Sequence, residues 1–374
     1  MDFFIERKLL HDALSKIAVA LENKDEMEAY THVALRGAGH RIRMTASNRH
    51  LDAEAQLEIE GNVGTSQIGV SGALLKKLVA SLNEDRIRFR LLKAHVSVEA
   101  GRSRMKLPVL SPARFAEVFP GHTDYRSDSV DHGQVNMQAL LRALDKVTHC
   151  VNENHPRSEY VSVFISPSWF VTTDGHRMAL WPNGVFDPGG SILLHMPQVS
   201  RIRKVFAGLG EWGGVAMEGD YRIHLACGGI ACATRLKAGT FPDFMSVIPK
   251  TAGRTLRAKT ASLIERLRRV LLVSPKGMMV EIETVDAGGT ELRMHAESDL
   301  GDAVEHIDCL SDGGLAFRIN GKFLLDALQR LEGEDAAIQL YYNREGVPGM
   351  VVIQEGDYKN VILPLREREG SGPG

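Results

Sequence analysis

Three strand-like segments spread along the chain end in related ways: RMTASN at 43–48, VTTDG at 171–175 and RMHAES at 293–298. Aligning Met44, Val171 and Met294 gives offsets of 127 and 123 residues. Self-similarity at one fixed period marks a repeated folding unit, and it restricts the fold more than composition does. Helix-period apolar stripes keep the same spacing: Leu9, Leu10, Ala13, Leu14, Ile17 and Leu21, then Leu140, Leu141, Leu144 and Val147, then Leu263, Ile264, Leu267 and Val270. A second helical pattern recurs in VSGALLKKLVASL (70–82), MPQVSRIRKVFAGL (196–209) and INGKFLLDALQRL (319–331). Its starts at Val70, Met196 and Ile319 lie 126 and 123 residues apart. Each copy therefore reads as two strand-helix-strands halves, and the fold class as α+β with three tandem domains.

The segments EVFPGHTDYRSDSVDHG and SVIPKTAGRT both leave a strand ending in proline and enter polar, Gly-containing sequence, which places seams near residues 124 and 252. The expected domains are 1–124, 125–252 and 253–367. The Gly, Ser and Pro content of 368–374 reads as a disordered tail.

A hydrophobic fraction of 44% and a charged fraction of 25% are those of a soluble globular chain. No run of about 18 apolar residues is present to span a bilayer. MDFFIERKLL turns charged before a signal-peptide core can build, so a cytoplasmic location is expected and no membrane partner. Cys150, Cys227, Cys232 and Cys309 show no CxxC pair, and buried free thiols are expected rather than a metal site. No cofactor is called for.

A net charge of −2 announces no nucleic-acid binder. The distribution is another matter. Over the windows 7–24, 72–82, 137–150, 198–207, 260–271 and 321–331, Lys plus Arg number 16 and Asp plus Glu only 5. Lys and Arg are good helix formers, which accounts for basic helices in general; Glu forms helices as well, and its depletion is not accounted for. Helices with apolar backs and basic fronts would form a surface that attracts phosphates without reading bases.

The stretch TTDGHRMAL (172–180) packs Asp174 and His176 beside Gly175 and Arg177, in the manner of a catalytic loop. Its surroundings offer threonines but no evident nucleophile, metal or third orienting group. A strand-end turn with Gly175 at positive φ and Asp174 bonded to the turn backbone explains part of the pattern. A hydrolase or transferase using Asp174 and His176 is the remote alternative.

With TTDGHRMAL in the second copy, TFPDFMSVIPK (240–250) at its end, FRINGKFLLDAL (317–328) in the third and VILPLR (361–366) beyond it, the chain resembles the bacterial DNA sliding clamps, the β subunits of the replicative polymerase. The resemblance runs nearly the whole length and is strongest in the second and third copies. It implies a non-catalytic processivity factor: a ring made as a head-to-tail homodimer, six clamp domains in all, encircling double-stranded DNA at the nucleoid. A catalytically inert scaffold of the same architecture that has lost DNA is a further reading.

Carried over residue by residue, the resemblance implies a pocket for short peptides between the second and third domains. It would use Arg157, Tyr160, Thr173, Gly175, His176, Arg177, Met178, Pro242, Val247, Asn320, Phe323, Leu363, Pro364, Leu365 and Arg366. Its ligands would be the polymerase alpha subunit, the clamp loader, repair polymerases, mismatch-repair proteins and ligase. DNA-facing residues would be Lys24, Lys76, Lys77, Arg142, Lys146, Arg201, Arg203, Lys204, Arg266 and Arg269. The subunit interface would join Met105 and Leu107 of one copy to Leu272 and Val273 of the other. This chain has Ser246 where the family usually has arginine, Met178 for leucine, Phe323 for tyrosine, and Leu363 and Leu365 for methionines. Its KDEMEAYTHVAL (24–35) lacks the family's Pro-containing apolar segment. A specialised or second-copy clamp with altered partner preference is the alternative that these departures raise.

Overall fold

A computed structural model describes residues 1–116, 133–248, 253–274, 279–285 and 288–365. The expected seams near 124 and 252 and the tail 368–374 lie outside these described residues. The chain is α+β, and the order strand, helix, three strands, strand, helix, three strands is traversed three times, with short extra strands at Glu60–Asn62 and Leu310–Ser311. The paired helices are α1 (Arg7–Ile17) and α2 (Gly72–Ser81), α4 (Met137–Val147) and α5 (Met196–Phe206), and α6 (Thr260–Val270) and α7 (Gly321–Leu328). A one-turn helix, α3 (Pro112–Ala116), was not expected. It is too short to give a periodic signal, and it is held by Phe115, which is fully buried. Phe115 fits because residue 69 is glycine: a Cβ there would lie 2.0 Å from the ring.

Periodicity makes the helices. In α6, Leu263, Leu267 and Val270 are buried on one face. α7 is additionally capped by Asn320, whose side chain accepts from the backbone N–H groups of Lys322 and Phe323, a device worth about 1 kcal/mol. Pro197 in the first turn of α5 lacks an N–H where none is needed.

By contact the chain forms two compact units: Met1–Leu141 with Val185–Ala238, and Arg142–Gly184 with Gly239–Gly374. In the first, a five-stranded sheet runs Glu60–Asn62, Asp2–Glu6, Arg86–Leu91, His95–Ala100, Ser103–Pro108. An eight-stranded sheet joins copies one and two, because Ile230–Arg235 pairs antiparallel with Leu51–Glu58. In the second unit a four-stranded sheet runs Gly301–Asp308, Glu291–Ser298, Met279–Thr284, Ala316–Asn320. A longer one contains, in order, Ser162–Ile165, Trp169–Thr173, Arg177–Pro182, Tyr358–Ile362, Pro348–Glu355, Asp335–Tyr342 and Arg254–Lys259. Here copies two and three meet, with Arg177 opposite Ile362 and Met178 opposite Val361. The middle repeat is thus divided, its first half built into one unit and its second into the other. The core of the second unit lies between these sheets and α6 and α7, around Leu263, Leu267, Ile282, Met294, Leu324 and Ile338.

Candidate functional site

The polar turn is assembled from its own residues. Trp169–Thr173 and Arg177–Pro182 form a hairpin with Thr173 opposite Met178. Gly175 takes φ +87° between them, a conformation that side chains with a Cβ rarely adopt. Asp174 Oδ1 accepts from the backbone N–H of His176 (2.9 Å) and of Arg177 (3.0 Å), while Oδ2 accepts from Arg177 Nε (3.0 Å). Thr173 Oγ1 donates to the Arg177 carbonyl at 2.8 Å and accepts from Gly175 N at 3.1 Å. The Asp174 carboxylate is given to two amides and a guanidinium, which is turn chemistry and not the orientation of an imidazole base.

Three segments far apart in sequence converge on this turn, all within the second unit. Past the strand Tyr358–Ile362, Leu363 N donates to the His176 carbonyl at 2.9 Å, and Leu365 N to the Arg318 carbonyl at 2.8 Å. Arg318 lies on the strand that leads into α7. From α7, Asp326 Oδ2 accepts from a terminal guanidinium nitrogen of Arg177 at 2.7 Å, and Phe323 places its ring 4.1 Å from the guanidinium carbon. The strands Arg177–Pro182 and Tyr358–Ile362, the segment 363–365 and α7 therefore frame one surface, on which Leu363 and Leu365 stand 43% and 39% exposed.

The other expected members of the pocket lie in turns and loops beside the strand Ser162–Ile165 of the same sheet. Arg157 is exposed and precedes the helical turn Ser158–Val161, and the Tyr160 ring packs on His155 at 4.4 Å. Pro242 and Val247 belong to a loop fastened by Phe241 and Phe244, whose rings lie 4.7 and 5.7 Å from Phe164. That loop leaves Met245 and Val247 half exposed. Arg366 lies outside the described residues.

Some expectations change. Met178, taken as an apolar wall, is only 5% exposed and works mainly as core. Asn320 spends its side chain on the α7 cap. Asp326, Met245 and the Phe164, Phe241 and Phe244 cluster were not anticipated. Asp326 had one sequence signal: it is the only acidic residue in the basic window 321–331.

The basic residues divide in the same way. Lys24, Lys76, Lys77, Arg142 and Lys204 are exposed, and Arg201 and Arg203 are half-buried. Arg266 and Arg269 both bond Glu305, at 3.0 and 2.6 Å. Arg201 approaches Glu22 at 3.5 Å. Lys146, expected to face DNA, is buried. Its ammonium donates to the Arg330 carbonyl, pairs with Glu332 at 3.1 Å, and lies over the Trp181 and Tyr358 rings at 5.4 and 5.2 Å. Buried among a carbonyl, a carboxylate and two ring faces, the ammonium is turned to partners inside the fold and not to the surface. Local helix electrostatics explains part of the bias, since α1, α4, α5 and α6 carry Lys or Arg in their last turns. The same physics favours acids in first turns, and none of the six long helices has one.

The residues expected at the subunit interface lie at sheet edges. Ser103–Pro108 ends the five-stranded sheet, with Met105 half-buried and Leu107 only 6% exposed, packed into its own unit. Gly301–Asp308 ends the four-stranded sheet. Near it Leu272 is 75% and Leu300 66% exposed, while Val273 packs against the core. Among the described residues no group of three His, Cys, Asp or Glu is placed to hold a metal, and the four cysteines are buried free thiols. Among these residues no helix is long and apolar enough to cross a membrane.

Comparison with known proteins gives the following. A family model described as DNA polymerase III beta subunit, N-terminal domain, matches residues 1–119, and the corresponding C-terminal domain model matches 245–366. A Caulobacter vibrioides protein named beta sliding clamp is 24% identical over 387 residues, covering 98% of this chain and all of that one. Among solved structures, a Bacillus subtilis DNA polymerase sliding clamp superposes with a TM-score of 0.87 at 17% identity, covering 98% of this chain and 99% of its own. A Pseudomonas aeruginosa DNA polymerase III subunit beta bound to griselimycin superposes at 0.86 and 20% identity, covering 98% and 100%.

Proposed function

The chain belongs to the DNA polymerase III beta subunit family, and from that premise we propose that it is a DNA sliding clamp, a non-catalytic ring that holds the replicative polymerase on duplex DNA. The observation that carries the reading is the match of both terminal-domain models at the two ends of a chain whose fold repeats three times. The ring is a head-to-tail homodimer of three-domain subunits with boundaries near 124 and 252. Two sheet edges support this. Ser103–Pro108 carries the exposed cations Arg104 and Lys106, and Gly301–Asp308 carries the exposed anions Asp302 and Asp308 beside Leu272 and Leu300. Pairing them across subunits would satisfy unpaired backbone groups and opposite charges together.

The surface framed by 173–178, 363–365 and α7 is the peptide groove. It offers Leu363, Leu365, Met245 and Val247 as apolar contacts and a bonded strand end as a rigid lip. Its ligands are short segments of the polymerase, clamp loader and repair proteins, and the chain works at the nucleoid. The hydrolase or transferase reading has no comparable support, because Asp174 is committed to the turn. The test is size-exclusion with light scattering followed by clamp-loader loading onto nicked circular DNA. A dimer retained on circles and released on linearisation is expected; a monomer that never enters the DNA fraction would remove the reading.

A further inference from the structure

His295 stands on the four-stranded sheet, on the strand beside the edge strand Gly301–Asp308, and alternates with the buried Leu292, Met294 and Ala296, so that it lies on the outward face. Both of its ring nitrogens meet carboxylates: Nδ1 lies 3.1 Å from Glu281 and Nε2 2.8 Å from Asp302. A carboxylate only accepts, and a neutral imidazole has a single N–H, so both bonds form together only in the imidazolium. The bond to Glu281, aided by Asp302, raises the pKa above the ordinary histidine value against the cost of partial burial. The two carboxylates are not alike. Glu281 also accepts from Arg318 Nε at 2.7 Å, whereas Asp302 is 63% exposed and belongs to the edge.

The rest of this face is acidic. Glu281 and Glu283 come from the strand Met279–Thr284, Glu291 and Glu297 from the strand of His295 itself, Asp299 from the turn after it, and Asp302 and Asp308 from the edge strand. Arg293, bonded to Glu283, and Arg318 are the cations that the four strands supply. His306, on the edge strand, bonds Glu291 at 2.9 Å. Glu305 is on the other face, engaged by Arg266 and Arg269. The edge expected to pair with this one in a second copy carries Arg104 and Lys106, with Arg102 before it and His95 on the neighbouring strand, all exposed; Glu99 approaches Arg104 at 3.1 Å.

We propose that His295 is a proton-operated regulator of ring closure: its imidazolium offsets the acidic edge and occupies Asp302, and loss of the proton hands Asp302 to the cationic edge of the second copy, so that the ring tightens as pH rises. Cations brought up by the partner disfavour the imidazolium, so pairing expels the proton and, by linkage, a higher pH favours pairing. A head-to-tail dimer closes through two such contacts, and the gain at one enters twice. The inference rests on the edge-pairing reading above.

The test follows the monomer–dimer equilibrium of the full chain by analytical ultracentrifugation between about pH 6 and 8, the range in which histidines exchange their protons. At low salt the wild-type Kd should fall about four- to tenfold across that range, and less as salt rises. His295→Gln should remove most of the change, whereas His306→Gln and His95→Gln should keep the tightening. A wild-type Kd that is flat or rises with pH, or a His295→Gln protein that shows the full wild-type change, overturns the proposal. Should His295→Gln unfold, Asp302→Asn, made at an exposed side chain, decides: it should weaken the dimer more at the upper end of the range than at the lower, and equal weakening at both refutes the proposal. A chain that stays monomeric at every pH is a separate result, which brings down the edge-pairing reading and the proposal with it.

Discussion

His149 shows how a single residue can set an acid limit. It is half-buried in the residue as a whole, yet burial of its ring pushes the imidazole down to about 4, against the bond from Nε2 to Asn360 Oδ1 at 2.7 Å. A folded pKa below the unfolded value near 6.5 means that the unfolded chain binds the extra proton. This contribution is complete above pH 6.5 and lost as pH falls from there to about 4, amounting to up to about 3 kcal/mol. Urea denaturation of wild type and His149→Gln between pH 7 and 4 should show a steeper loss in wild type; parallel slopes would discard the assignment. On the groove, Leu363→Ala and Leu365→Ala remove half-exposed apolar contacts, and each should cost roughly 1–2 kcal/mol of peptide affinity with little change in melting temperature. Met178→Lys is no substitute, because at 5% exposure it would bury an ammonium and unfold the hairpin. Legibility at this scale followed locality. Asp174 as a turn residue could be read from TTDGHR because its partners are two and three residues away. Lys146 could not, because Trp181, Glu332 and Tyr358 reach it only through the tertiary fold.

At the scale of elements the six long helices were readable because each carries a buried stripe at helical spacing, and the three-copy order was readable because those stripes recur. What the repeat concealed was the pairing of Ile230–Arg235 with Leu51–Glu58 and of Arg177–Pro182 with Tyr358–Ile362. Strand pairing between copies leaves no periodic trace, since either edge of a sheet satisfies the same alternation. The ion pairs of α6 lead to a test of the basic surface. Glu305 engages both Arg266 and Arg269, so Glu305→Gln should release them and steepen the salt dependence of DNA retention by up to about one unit of log–log slope. Arg142→Ala or Arg203→Ala alone should weaken retention only modestly, because the cations are spread over several helices. Loss of loading from either single change, with the dimer intact, would mean that the charge acts locally. Fluorescence titration against salt reads both.

For the whole molecule, the exposed Leu272 is the informative position. Leu272→Glu places a charge at a contact that must become apolar and dry if two copies pair there, at a cost of several kcal/mol. Light scattering should find folded monomers, and an undisturbed dimer would move the interface elsewhere. Ending the chain before Leu363 should leave the dimer and its DNA loading in place while abolishing peptide binding. The divided middle repeat also orders events in time. The first compact unit has all its strands once Ala238 has left the ribosome, whereas the strand Arg177–Pro182 must wait, its edge uncovered, until Tyr358–Ile362 emerges to pair with it. A nascent chain can therefore fold its first unit during translation yet cannot recruit a partner through the lip until synthesis is nearly finished. Unfinished clamps would be silent at the replication fork, where a ring that enclosed DNA without a working groove would obstruct the polymerase it should tether. Ribosome-stalled chains arrested before Tyr358 should accordingly resist protease over the first unit while failing to capture peptide.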